Sequence, residues 1–157
     1  MVSDPSAALA VLVVVPRPSS ARVRAVMQGN RRRDTSPELR LRSALHARGL
    51  RFRIDLPVKA NDRVARPDIV FSRRRLAVFV DGCFWHGCSD HFVASKSNVT
   101  YWEAKIERNR VRDQLTNEAL VAAGWSVIRV WAHQDVCVSA DRIELAYQRS
   151  DPASKGG

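Results

Sequence analysis

Arg66-Pro67-Asp68-Ile69-Val70-Phe71-Ser72-Arg73-Arg74-Arg75-Leu76-Ala77-Val78-Phe79-Val80-Asp81 is the stretch on which the fold of this chain turns. Two short apolar runs, residues 68–71 and 76–80, flank the polar turn Ser72-Arg73-Arg74-Arg75, a pattern that predicts an antiparallel hairpin. A hairpin sets the outer ends of its strands side by side, so Asp68 and Asp81 are expected to be neighbours. The second strand then runs into Gly82-Cys83-Phe84-Trp85-His86-Gly87-Cys88-Ser89-Asp90-His91, a loop holding thiols, imidazoles and adjacent aromatic rings.

Upstream, Thr35-Ser36-Pro37-Glu38 reads as a helix start. Either hydroxyl can cap it, Pro37 suits the first turn, and Glu38 stands three residues after Thr35 as in a capping box. Leu39, Leu41, Ala44 and Leu45 give that helix an apolar side, and Gly49 suits its C-terminal cap. A short strand is expected at residues 51–54. Downstream, residues 100–123 read as one long helix whose apolar positions are Trp102, Ile106, Val111, Leu115, Ala119 and Leu120, with Gly124 as its stop. Residues 125–131 form a strand and 140–148 a final helix. The expected order is α-β-β-β-α-β-α, a mixed sheet flanked by helices with the second helix as a crossover. Residues 1–19 read as a leader, 20–34 as a basic arm within a folded domain over 20–149, and 150–157 as a tail.

With 157 residues, 45% of them hydrophobic, the chain can bury one core. The net charge of +10 rests mainly on arginine, which suits planar contact with phosphates, so nucleic acid is the expected partner. The competing explanation is a genome that writes Arg wherever any cation serves. Three cysteines, two of them in one loop, argue against a disulfide scaffold and for a reducing compartment. The apolar run over residues 7–15 lacks the basic residue before it and the cleavage site after it that a signal peptide needs. It is also too short to span a bilayer.

Two acids at one sheet edge suit a hard cation such as Mg²⁺, which activates water and stabilises charge on a phosphodiester. Glu38 can approach the same place, although the capping box explains it equally well. Cys83-x4-Cys88-x2-His91 suits tetrahedral zinc, with His133, Cys137 or His86 as candidate fourth ligands. If zinc is completed without His86, that imidazole is left to act as a general base. Phe84, Trp85 and Trp102 have a plain reading as core residues and a functional one as wedges between base pairs.

Arg66 to Phe71 and Val78 to Cys88 resemble the very-short-patch (Vsr) mismatch repair endonuclease family. Tyr101-Trp102-x2-Lys105-Ile106-x2-Asn109-x2-Arg112-Asp113 and Gly124-Trp125-x-Val127-x2-Val130-Trp131 extend the likeness. The resemblance implies a restriction-endonuclease-like α/β core, α-β-β-β-α-β, with a structural zinc site. It implies a Mg²⁺-dependent enzyme of the bacterial cytoplasm and nucleoid. No membrane partner is expected, and because nicking needs only one active site a monomer is expected. Its substrate would be double-stranded DNA nicked beside the T of a T·G mismatch left by 5-methylcytosine deamination. Asp68 and the Val80 carbonyl would hold Mg²⁺, Glu38 would organise water, His86 would be general base, and Asp81 would add a metal ligand or tune that base. Phe84, Trp85 and Trp102 would enter the major groove, with Lys105 and Asn109 near the mismatched bases. Cys83, Cys88, His91 and His133 would bind zinc. The chain departs from the family pattern in carrying Asp81 where some members have His. It also lacks the lysine that follows the second acid in many nucleases of this fold. Val23 stands where the arm can carry a wedging methionine, with Met27 close by. The alternatives are a zinc-stapled DNA-binding module without catalysis and a restriction-type endonuclease that cuts intact duplex.

Overall fold

The computed structural model describes residues 34–83, 88 and 99–150. All belong to one compact unit, Arg31–Gly157. The leader, most of the basic arm with Val23 and Met27, the tail beyond Ser150, and Phe84, Trp85, His86 and His91 lie outside the described residues.

Helix α1, Ser36–Ala47, begins at the expected place, with Thr35 at the N-cap and Pro37 in the first turn. Its start is a modified capping box. The Thr35 hydroxyl donates to Glu38 Oε1 at 2.9 Å instead of accepting from the helix, and Glu38 Oε2 accepts from the Asp34 backbone N–H at 2.9 Å. Leu41 and Leu45 are buried, whereas Leu39 faces out. Gly49 takes φ +78°, and its N–H donates to the His46 carbonyl while that of Leu50 reaches the Leu45 carbonyl, a Schellman ending.

The strand expected at residues 51–54 is reduced to one bridge, Arg53 with Val70, because Asp55 turns into left-handed backbone at φ +52°. A hairpin not anticipated from sequence follows instead: β1, Val58–Ala60, pairs antiparallel with β2, Arg63–Ala65. Asn61, at φ +55°, turns it, a conformation that Asn tolerates.

The decisive hairpin forms as expected. Strand β3, Ile69–Phe71, pairs antiparallel with β4, Leu76–Asp81, through a 3-10 turn over Ser72–Arg74. Helix α2, Val99–Ala122, is the crossover to β5, Ser126–Trp131, which pairs parallel with β4. The three-stranded sheet has the order β3-β4-β5 and is mixed, as expected. Helix α3, Val136–Arg149, is longer than the sequence suggested, because the Asp135 carboxylate accepts from the N–H groups of Cys137 and Val138 and starts it earlier.

Alternation along the strands divides the interior. Ile69, Phe71, Leu76, Val78, Ile128 and Val130 pack with Leu41, Leu45 and Ile143 from α1 and α3. Val70 and Ala77 turn the other way, toward Val58, Ala60 and Ala65 of the small hairpin and Leu120 of α2. Helix α2 buries only Ile106 and Leu120 fully, and Val111 and Leu115 are exposed, contrary to the apolar side read from sequence. Among the described residues no helix is long and apolar enough to cross a membrane.

The Schellman ending yields a stability prediction. A Cβ at Gly49 meets nothing within 4 Å, so the penalty of Gly49→Ala is the left-handed backbone itself. Chemical denaturation is expected to show a loss of about 1–2 kcal/mol, and an unchanged midpoint would contradict this ending.

Candidate active site and metal cluster

Asp68 lies just before β3 and Asp81 ends β4, and continuing the β3–β4 register by one residue sets Asp68 opposite Phe79. Alternation puts Asp68, Phe79 and Asp81 on the α2 face. They line a cleft of about 390 Å³ with Arg66, Arg112, Asp113, Thr116 and Arg129. Asp68 Oδ2 accepts from the Val80 N–H at 2.7 Å. Its carboxyl is pushed up to about 6. Burial is the main cause, the negative charges of Glu38 and Asp81 add to it, and the Val80 N–H and Arg42 oppose it. Asp68 is thus within electrostatic reach of both Glu38 and Asp81.

Each acid is anchored differently. Buried Glu38 is held by Thr35, by the Asp34 N–H and by Arg42 at 3.1 Å, and Arg42 also grips Asp34 at 2.6 Å. Buried Asp81 meets Arg129 Nη1 at 2.6 Å. The same nitrogen lies 3.4 Å from Asp113, and Arg129 Nε donates to Asn117 Oδ1 at 3.1 Å.

Sequence reading overlooked Arg129, Asp113 and Arg42. A signal was present for two of them. Arg129 interrupts the otherwise apolar centre of Ser126-Val127-Ile128-Arg129-Val130-Trp131, and Arg42 stands four residues after Glu38.

A second cluster forms where β4 and β5 leave the sheet. Their parallel register pairs Asp81 with Trp131, so Cys83 and His133, each two residues further on, emerge together. Cys83 Sγ lies 3.0 Å and Cys88 Sγ 3.8 Å from His133 Nδ1, and the three ligand atoms fall within 4.8 Å of one another. In a tetrahedral zinc site, S and N ligands stand about 3.6 Å apart, so this set fits the ion. Burial and then the neighbouring Cys88 push the Cys83 thiol up, a repulsion that a cation reverses. Cys137 lies in the first turn of α3 and is not part of the cluster.

The remaining expected contact residues lie on α2. Trp102, Lys105 and Asn109 recur at three- and four-residue spacing and continue to Arg112, Asp113 and Thr116 in the cleft wall. Lys105 Nζ sits 5.3 Å from the Trp102 ring centre and 5.8 Å from that of Tyr101.

The pattern of the DNA mismatch endonuclease Vsr family matches residues 18–91. Over 122 residues the chain is 48% identical to the type II nicking enzyme V.NaeI of Lentzea aerocolonigenes, covering 77% of this chain and 74% of that one. The chain belongs to the Vsr family. It is therefore an endonuclease that hydrolyses DNA. Another relative is the type II nicking enzyme V.XorIIP of Xanthomonas oryzae, 48% identical over 73% of this chain and 82% of its own. The DNA mismatch endonuclease Vsr of Escherichia coli is 37% identical over 63% of this chain and 62% of its own.

The raised Asp68 carboxyl gives this Vsr-family protein a pH signature when divalent cations are chelated. Asp68 holds its proton more tightly folded than unfolded. Its stabilising contribution is therefore complete below 3.8 and is lost as pH rises through about 6. Asp68→Asn is expected to stabilise the metal-free protein by up to about 3 kcal/mol at neutral pH and to leave it unchanged in strong acid. Parallel denaturation curves at both pH values check this, and equal effects would refute it.

Proposed function

We propose that the protein nicks one strand of duplex DNA beside the T of a T·G mismatch, with Mg²⁺ at Asp68. The observation that carries this reading is the convergence of Asp68, Asp81 and Glu38, with Asp68 holding its proton to about 6. Asp68 and Asp81 line one cleft, and two carboxylates so placed are a donor set that fits a small hard cation. A strand residue turns its N–H and C=O to the same edge. The Val80 N–H donates to Asp68, so the Val80 carbonyl faces the same side and would be the second protein ligand. The cation, when bound, supplies Lewis acidity and a more acidic water.

The protein's own groups do the rest. Glu38, fixed by Thr35, Asp34 and Arg42, would orient the attacking water. His86 would take that water's proton as its oxygen bonds to phosphorus. The bridging P–O bond then breaks, and the departing oxygen gains a proton from solvent. Asp81, tied to Arg129, would tune the charge around the base or add a ligand. Phe84, Trp85 and Trp102 would open the step beside the mismatch, where unpairing costs least. Lys105 and Asn109 would contact the bases there.

Zinc at Cys83, Cys88, His91 and His133 would clamp the loop that carries Phe84, Trp85 and His86. The core would be restriction-endonuclease-like, acting as a monomer in the cytoplasm.

Duplexes that differ only in carrying T·G, C·G or T·A at one position test the reading. Nicking of the T·G duplex alone, requiring Mg²⁺ and lost in Asp68→Ala, is expected. Equal cutting of all three would overturn the mismatch assignment, and binding without cutting would favour a DNA-binding module. For the second cluster, metal analysis of purified protein is expected to find about one zinc per chain. His133→Ala should release it and lower the melting temperature, whereas Cys137→Ser should not. Retained zinc in His133→Ala would refute the ligand set.

A further inference from the structure

We propose that Arg129 is a catalytic residue whose Nη2 grips a non-bridging oxygen of the scissile phosphate. The proposal rests on the nuclease reading of the Asp68 cleft and adds a group to it. The sheet register leads there. Asp68 stands opposite Phe79 on β3–β4, and Phe79 pairs with Arg129 on β4–β5, so the three form one row across adjacent strands. All three line the cleft. With strands spaced about 4.8 Å apart, Arg129 starts roughly 10 Å from Asp68. Its guanidinium lies over the Phe79 ring, 4.6 Å from its centre, and lines the same cleft as Asp68.

The guanidinium is also fixed in orientation. Nη1 is held by Asp81 and Asp113, and Nε by Asn117. Nη2 makes no hydrogen bond among the described residues, and the side chain keeps 21% of its surface exposed. Two of the three nitrogens of a rigid fork are therefore engaged within the protein, which leaves the third as the donor for a ligand in the cleft that Arg129 lines with Asp68. A donor fixed in advance where phosphoryl charge develops is an effective form of catalysis, since it needs no reorganisation during reaction. The competing view is an ion pair that merely neutralises buried Asp81. That view explains Nη1 but gives no role to the Nε anchor, the ring beneath or the remaining N–H donors.

Arg129→Lys keeps the positive charge beside Asp81 and removes the fork. In single-turnover nicking with Mg²⁺, this variant should melt close to wild type and bind the duplex within about threefold. Its cleavage rate should fall about 10²–10³-fold, the usual cost of one such donor. Arg129→Ala should regain rate with methylguanidinium in solution and not with methylammonium. A Lys variant cutting at the wild-type rate would overturn the proposal, as would a loss that follows only melting temperature, or equal rescue by both cations. If wild type spares the T·G duplex, the mismatch reading fails by itself, and the Arg129 comparison is made on whichever duplex the wild type does cut.

Discussion

The parallel register between β4 and β5 is the constraint on which the rest depends. Pairing Asp81 with Trp131 sends Cys83 and His133 out of the same sheet edge, two residues later on each strand. The same register sets Phe79 beside Arg129, so the guanidinium lies over that ring in the cleft that Asp68 also lines. A slip of one residue would exchange the two faces of β5, turning Arg129 into the core beneath α1 and α3 and bringing Ile128 and Val130 into the cleft. Both sites would fail together. Burial fixes the register: Ile128 and Val130 belong among the apolar residues that seat Leu45 and Ile143, and a charged side chain there would lose its water without a partner.

That constraint concentrates charge where a small sheet tolerates it poorly. Glu38, Asp68 and Asp81 crowd one region, and each carboxylate is managed by different means. Arg42 and the first turn of α1 hold Glu38, Arg129 holds Asp81, and Asp68 keeps its proton to about 6 with one backbone N–H as partner. The group with the least compensation is the one proposed to hold Mg²⁺. Residues whose protonation is displaced by burial and like charge recur at catalytic sites for this reason.

Much of this was legible in sequence because it is carried by local rules. The Asp68–Asp81 hairpin followed from two apolar runs and a polar turn, and the α2 crossover from a long helical stretch between strands. The β1–β2 hairpin escaped because strands of three residues, Val58-Lys59-Ala60 and Arg63-Val64-Ala65, give alternation too little length to register. The strand expected at residues 51–54 was overread, since nothing in its composition announces the left-handed turn at Asp55. The choice between His133 and Cys137 stayed open because it depends on pairing between strands about fifty residues apart in the chain, which spacing alone does not encode. Arg129 was missed for a related reason. A charge inside an apolar strand shows that a partner exists without saying which, and Asp81 becomes its partner only once the sheet is assembled.

On the proposed reading, one sheet edge carries two distinct metal sites, an oxygen-donor site at Asp68 and a thiolate–imidazole site at Cys83. Crystals of the protein grown with Mn²⁺ in place of Mg²⁺, measured at the manganese and zinc absorption edges, test it directly. The account predicts a manganese peak about 2.1 Å from Asp68 and the Val80 carbonyl, in octahedral oxygen coordination. It predicts a separate zinc peak about 2.3 Å from the Cys83 and Cys88 sulfurs. A single peak at the cysteines, with none at Asp68, would contradict it.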